Sequence, residues 1–209
     1  MDVGTIPTKG LNMISTTDKA IIKIINPNLA TGPWIAGGAV MTWFEGGTLR
    51  STNFPTAQDI DVFFADPDQF EFTKQQLVKN NSVRHLPFVS DNAETYQFEL
   101  PDSITNACWK VQLIKKNYFK STAEILHNFD FTCCGFATDG NKYTMLPNAA
   151  KDLNNKVLHI NRYNSETILS RTIKYWIAGF EPGADVREAL ASADIQTNFS
   201  GHTDYDHAF

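Results

Sequence analysis

Two aspartates one residue apart, Asp59 and Asp61 in "DIDVFF", stand at the head of an apolar run. Read as a strand, the run alternates Ile60, Val62 and Phe64 against Asp59, Asp61 and Phe63, so both carboxylates project from one face. Two like charges this close repel, and the arrangement persists where positive charge compensates them. Paired carboxylate oxygens suit Mg²⁺, which keeps water and takes its remaining ligands from substrate phosphate. The ordinary alternative is a solvated polar strand face.

Earlier in the chain, "PWIAGGAV" places Gly37-Gly38 between a short apolar strand and a helix. A strand that turns directly into a helix through glycine exposes backbone N–H groups, and the positive end of the helix faces whatever approaches; an anion fits there. A tight, closely packed turn is the other reading. Neither the Walker spacing nor G-x-G-x-x-G is present, so nucleotide-binding loops of those two types have no support.

The elements that must position these groups follow from periodicity and punctuation. "TDKAIIKII" reads as a helix capped by Thr17 or Asp18 and stopped at Asn26-Pro27, "PWIAGG" as a strand, and "GAVMTWFEGG" as a helix ending at Gly46-Gly47. "TLRSTNFPTAQ" reads as a loop, "DIDVFFA" as a strand and "DPDQFEFTKQQLVKNN" as a helix started by Asp66-Pro67. "ETYQFEL" and "WKVQLIKK" form two strands, "STAEILHNF" a helix with Glu124 at capping-box distance, and "DFTCCGFATDGNKYTML" a hairpin turning at Asp139-Gly140. "AAKDLNNKVLHI" connects to a last helix in "SETILSRTIKYWIAGF". This order predicts an α+β fold, a mixed sheet flanked by helices, with residues 1–180 as the domain and the acidic stretch 181–209 as a tail.

Composition narrows the functional classes. The 209 residues are 42% apolar, enough for one sizeable core, and the formal charge of −5 comes without a basic block, so no large nucleic-acid footprint is written into the balance. No apolar run is long enough to span a bilayer, and "MDVGTIPTKG" lacks the order of a signal peptide, so a soluble, cytoplasmic protein without membrane partners is expected. The three cysteines have no metal-ligand spacing; Cys133 and Cys134 read as buried thiols on opposite faces of a strand. His85, His127 and His159 also lack metal spacing, and His202, Asp204, Asp206 and His207 fall in the tail.

Taken together, "IAGGAV" and "DIDVFF" resemble the Gly-Gly helix turn and metal-binding Asp-x-Asp of the nucleotidyltransferase superfamily of DNA polymerase β. The chain is most similar to the head domain of tRNA nucleotidyltransferases and poly(A) polymerases. The likeness continues through "FDFTCCGFATDGNKYTMLPNAAKDLNNKVLHIN" and "SETILSRTIKYWIAGF", over roughly residues 30–180. It implies transfer of a nucleotide from an NTP to a hydroxyl acceptor on RNA, protein or a small molecule, with pyrophosphate leaving. Two Mg²⁺ ions would sit on Asp59 and Asp61, one activating the acceptor oxygen and one bridging the triphosphate, and Gly37, Gly38 and nearby N–H groups would hold the β and γ phosphates.

Many members use a third carboxylate. In "WKVQLI" the face positions are Lys110, Gln112 and Ile114 or Trp109, Val111 and Leu113, none acidic, which leaves Asp130 as the candidate, either for the metal or for the sugar. A cap at the helix-to-strand junction is the structural alternative for Asp130. Arg50, Arg171 and Lys174 are the candidate cations for the triphosphate, each alternatively a surface charge. Three features differ from tRNA nucleotidyltransferases: no arginine follows the Gly-Gly, Asn128-Phe129 stand before Asp130 where the family has an arginine pair, and the base-reading Glu-Asp-x-x-Arg is reduced to Glu166 and Arg171. These departures argue against CCA addition. They also keep open a second function, a non-catalytic binding or structural protein on the same fold, for example in a viral particle, and a third, a hydrolase that would release inorganic phosphate.

Overall fold

The computed structural model describes residues 4–7, 16–46, 59–80, 83–99 and 108–192. In chain order these form β1 (Gly4–Pro7), α1 (Thr16–Ile25), β2 (Trp34–Ala36), α2 (Gly38–Phe44), β3 (Ile60–Phe63), α3 (Pro67–Val78), β4 (Val83–Val89), β5 (Ala93–Glu99) and β6 (Cys108–Ile114). There follow α4 (Thr122–Leu126), a one-turn 3-10 helix at Thr132–Cys134, β7 (Phe136–Thr138), β8 (Lys142–Met145), α5 (Ala149–Asn155), β9 (Val157–Leu158), α6 (Ile168–Ile177), β10 (Glu181–Pro182) and α7 (Ala184–Ser192). Eight strands make one sheet in the order β1-β8-β7-β2-β3-β6-β5-β4, and β9 pairs with β10 separately. Within the large sheet β3 and β6 run parallel while the other pairs are antiparallel, the mixed α+β sheet expected from the sequence.

Local chemistry accounts for the helix boundaries that matter to the site. Asp66 caps α3, accepting from Gln69 N–H at 2.7 Å, and Pro67 occupies the first helical position where its missing N–H costs nothing. Ser121 accepts from Glu124 N–H and Glu124 accepts from Lys120 N–H, which fixes the entry of α4. The chain leaves α1 at Asn26, with φ of 51°, just before Pro27. On the other hand, Asp18 is not a cap: it is fully buried inside α1 and accepts from the Trp43 indole N–H at 3.1 Å, tying α1 to α2.

The core runs through both faces of the sheet. Ile35, Ile60, Val62, Phe64, Val111 and Leu113 are buried to within 0% exposure. Phe63, on the other face of β3, is also buried, edge-on to Phe119 and Phe129. Phe63 is buried on the face that carries Asp59 and Asp61, and the two aspartates are themselves half-buried, so that face is partly covered by protein.

Several segments differ from the pattern in the sequence. β1 and β4 are strands that the periodicity did not mark; β4 contains Pro87, and its pairing with β5 shifts register between His85 and Val89. "DFTC" folds as a bridge at Phe131 followed by the 3-10 turn, not as a hairpin strand. Cys133 and Cys134 therefore do not face opposite sides of a strand: both are buried, unpaired as disulfide, with their sulfurs 3.8 Å apart, and the Cys134 thiol donates to Tyr175 Oη at 2.9 Å. Beyond residue 180, where the sequence suggested an irregular tail, β10 and α7 form, with Val186 fully buried. Residues 193–209, including His202, Asp204, Asp206 and His207, lie outside the described residues. Among the described residues no helix is long and apolar enough to cross a membrane.

Candidate active site

The antiparallel register sets Ala36 of β2 opposite Asp61 of β3, which brings the Gly37-Gly38 turn beside the carboxylates. Gly37 has φ of 88°, a conformation that favours glycine, and a methyl group there would lie 3.1 Å from the Phe129 ring and 3.7 Å from Asp61 Oδ2. Its own N–H donates to the Phe136 carbonyl at 2.9 Å. That bond engages the Gly37 amide in the sheet, and Gly37 supplies the turn and the space beside Asp61. Gly38, the first residue of α2, has nothing within 4 Å of where a Cβ would stand, and the helix begins without a side-chain cap.

Asp59 and Asp61 project from the same face. Asp59 Oδ2 accepts from Gln112 Nε2 at 3.0 Å, across the parallel β3–β6 pair in which Asp61 stands level with Gln112. Asp61 Oδ1 is buried with no hydrogen-bond partner among the described residues. Burial raises the Asp61 pKa to about 8, the Asp59 charge adds to the rise, and Lys174 and Arg171 oppose it. A buried carboxylate oxygen without a donor, next to a second carboxylate, is what a bound cation would satisfy. No cluster of three or more His, Cys, Asp or Glu able to hold an ion occurs among the described residues. Two carboxylates with one unpartnered oxygen are hard oxygen donors of the kind Mg²⁺ takes, its other ligands coming from phosphate and water.

A second wall faces the pair. Asp130 follows α4, and its backbone carbonyl accepts from Asn161 and Arg162 N–H at 2.8 and 3.2 Å, which fixes the residue at the junction. Its carboxylate takes the Arg171 Nε at 3.2 Å, both side chains being 16% exposed. Burial raises the Asp130 pKa, against the pull of Arg171 and Arg162. Arg171 thus acts on both Asp130 and Asp61, and Lys174, one turn along the exposed side of α6, acts on Asp61. Arg50 lies outside the described residues.

On the Asp130 side lies a cavity of about 160 Å³, lined by Phe63, Asn128, Asp130, Arg162, Thr167 and Arg171 among others, and not by Asp59 or Asp61. Ligand pockets for larger molecules run to roughly 300–1,000 Å³, so this one has room for a ring system and not for a whole nucleotide. The Thr167 hydroxyl is buried there with no hydrogen-bond partner among the described residues, while Arg162 donates to the Asn128 side-chain oxygen. Arg162, Thr167 and Gln112 had no place in the sequence-based site. Thr167 lies one helical turn before Arg171, a spacing visible in the sequence, but only the fold shows that both face the cavity. Glu166 is exposed, away from that lining.

A mixed sheet with a Gly-Gly turn and an aspartate pair on adjacent strands defines the fold of the nucleotidyltransferase head domain. Solved structures agree: a Thermotoga maritima CCA-adding enzyme complexed with tRNA matches with a TM-score of 0.58 at 14% identity, covering 92% of this chain and 46% of that one. A CCA-adding enzyme in complex with ATP matches with 0.59 at 13% identity, covering 91% and 45%. The chain spans less than half the length of these enzymes, and at such identity the likeness is one of fold. The particular family is narrower: the model of the Gabija anti-defense 2 family matches residues 11–156, and the chain belongs to that family. No curated protein matches the chain.

Proposed function

We propose that the protein is a Mg²⁺-dependent nucleotidyltransferase that moves a nucleotide from an NTP to a hydroxyl acceptor. The observation that carries this reading is the half-buried Asp61, whose buried Oδ1 has no hydrogen-bond partner among the described residues, beside Asp59 and within the field of Arg171 and Lys174. Burial of that kind is unfavourable for a structural acid and useful for a cation-binding one.

In this reading Asp59 and Asp61 hold the cation, which supplies charge neutralisation at the triphosphate and lowers the barrier to attack by the acceptor oxygen. Gly37 keeps the β2–α2 turn close to the carboxylates, and the open backbone at Gly38 leaves room for phosphate oxygens. Arg171 and Lys174 offset the negative charge of the triphosphate. Asp130, held by Arg171, faces the sugar, and the cavity beside Thr167 takes the base. The fold likeness to a CCA-adding enzyme in complex with ATP supports an NTP as donor, and likeness to one complexed with tRNA supports RNA as one acceptor to test; a protein acceptor is tested alongside. A cytoplasmic place of action accords with a nucleotide substrate.

A second reading, a non-catalytic docking protein on the same fold, is favoured by one observation. Leu169, Ile173, Trp176 and Ile177 form an exposed apolar stripe on α6, with Ile177 77% exposed. Incubating purified protein with each α-labelled NTP, Mg²⁺ and pooled RNA or protein acceptors separates the two. Label transfer with pyrophosphate release, absent in Asp59→Ala and Asp61→Ala, is the expected result. Failure to bind any NTP would sink the first reading and leave the second.

A further inference from the structure

We infer that Gln112 is a positioning residue for the cation pair, acting through Asp59; the inference rests on the proposal that Asp59 and Asp61 hold a divalent ion. Gln112 sits on β6, which pairs in parallel with β3, and the register sets it level with Asp61. Its Nε2–H reaches diagonally to Asp59 Oδ2 at 3.0 Å, within good hydrogen-bond geometry. Asp59 stands just before β3, and a carboxylate there turns about χ2 unless something fixes it. Here one such contact comes from the neighbouring strand, whose backbone is pinned on its far side by the antiparallel pairing of Thr95 with Gln112. The amide therefore stands on one of the most rigid parts of the fold.

The chemistry of the amide matters as much as its place. Gln112 is neutral, so it orients Asp59 without adding a third negative charge beside Asp61, whose carboxylate is already buried next to Asp59. As a donor it occupies one lone-pair direction of Oδ2 and directs the remaining lone pairs of the carboxylate. Groups that hydrogen-bond metal-ligating side chains typically tune affinity by about 10- to 100-fold. A lysine or arginine there would fix Asp59 equally well but would repel the cation. A carboxylate would attract the cation but would not donate. The residue type fits the positioning role.

The test uses the full chain and Mn²⁺ as probe, with the free ion followed by electron paramagnetic resonance in the presence of a saturating non-hydrolysable NTP. Gln112→Met removes the donor at similar volume, and Gln112→Asn keeps the amide but shortens its reach. Both should weaken Mn²⁺ binding by about tenfold, with melting in EDTA unchanged. In an Asp59→Asn background Gln112→Met should add nothing, because the residue acts through Asp59. Unchanged Mn²⁺ affinity in both Gln112 variants, while Asp59→Asn and Asp61→Asn each weaken it measurably, overturns the positioning role and leaves the cation site standing. An equal tenfold loss with Gln112→Met in the Asp59→Asn background also overturns it. Absence of Mn²⁺ binding in the unmodified protein overturns both this role and the proposed cation site.

Discussion

Asp61 on β3, half-buried, and Glu94 on β5, buried, are two acids of the same sheet, and their surroundings move them in opposite directions. Glu94 is 8% exposed, yet Lys74 Nζ lies 3.0 Å from its Oε2 and Tyr96 Oη donates to the same oxygen at 2.9 Å. Burial alone would raise its pKa; the Lys74 and Tyr96 bonds outweigh that and leave it below the ordinary value. Asp61 has no such donor on Oδ1, and burial with the Asp59 charge carries it up to about 8. The fold satisfies the Glu94 carboxylate with two side chains and, among the described residues, gives Asp61 Oδ1 none, which is the difference that the proposed cation would remove.

The contrast can be broken most sharply by neutralising each acid in turn. Asp61→Asn should lower nucleotide transfer by at least about 100-fold, measured as pyrophosphate release, while making the protein more stable. The direction follows from linkage: with a raised pKa, the folded state holds a proton that the unfolded chain has lost, so stability is present below the ordinary value of 3.8 and is lost as pH rises through about 8. The variant's advantage in Tm should therefore be small near pH 4 and grow to about 2 °C or more at pH 8. Glu94→Gln should do the reverse, costing about 1–3 kcal/mol near neutral pH with transfer per folded molecule unchanged. Because the folded-state pKa of Glu94 is lowered, that cost should shrink as pH falls below 4.5, measured by denaturant titration across the range.

Arg171→Ala sharpens the comparison on the opposite wall. Asp130 would be left buried without its ion pair, and stability should fall by about 1–3 kcal/mol, with KM for the nucleotide rising at least about tenfold because a triphosphate cation is lost with it. The smallest effect should come from the adjacent glycines. Gly38→Ala enters open space and should change Tm little, whereas Gly37→Ala meets Phe129 at φ of 88° and should destabilise by roughly 1 kcal/mol or more. Thermal melts of the two single variants, side by side, check this.

How much of this was legible in the sequence depends on the range of the interaction. The Asp59/Asp61 alternation, the Gly37-Gly38 turn and the Asp66-Pro67 and Ser121 caps are local patterns, and the fold places them on β3, at the β2–α2 junction and at the starts of α3 and α4. Gln112 contacts Asp59 across 53 positions of chain, and Arg162 meets Asn128 across 34; no local spacing encodes either. β4 was hidden because Pro87 and His85 interrupt the alternation that would mark a strand. Thr132–Cys134 looked like strand because threonine and cysteine favour extended backbone, but Asp152 and the carbonyl of His159 take the Thr132 hydroxyl and close the turn. The exposed Ile177 end of α6 carries helical periodicity without a core to face, so pattern alone could not separate a buried side from an open one.

The central claim is that the Asp59/Asp61 pair is completed by a divalent cation and a triphosphate. Calorimetric titration of a non-hydrolysable NTP into the full chain at pH 8, with Mg²⁺ and then with EDTA, tests it most directly. Binding that requires Mg²⁺, and that disappears in the Asp59→Asn, Asp61→Asn double variant, is the predicted result. Binding of equal strength in EDTA, or in the double variant, or none under either condition, would contradict it.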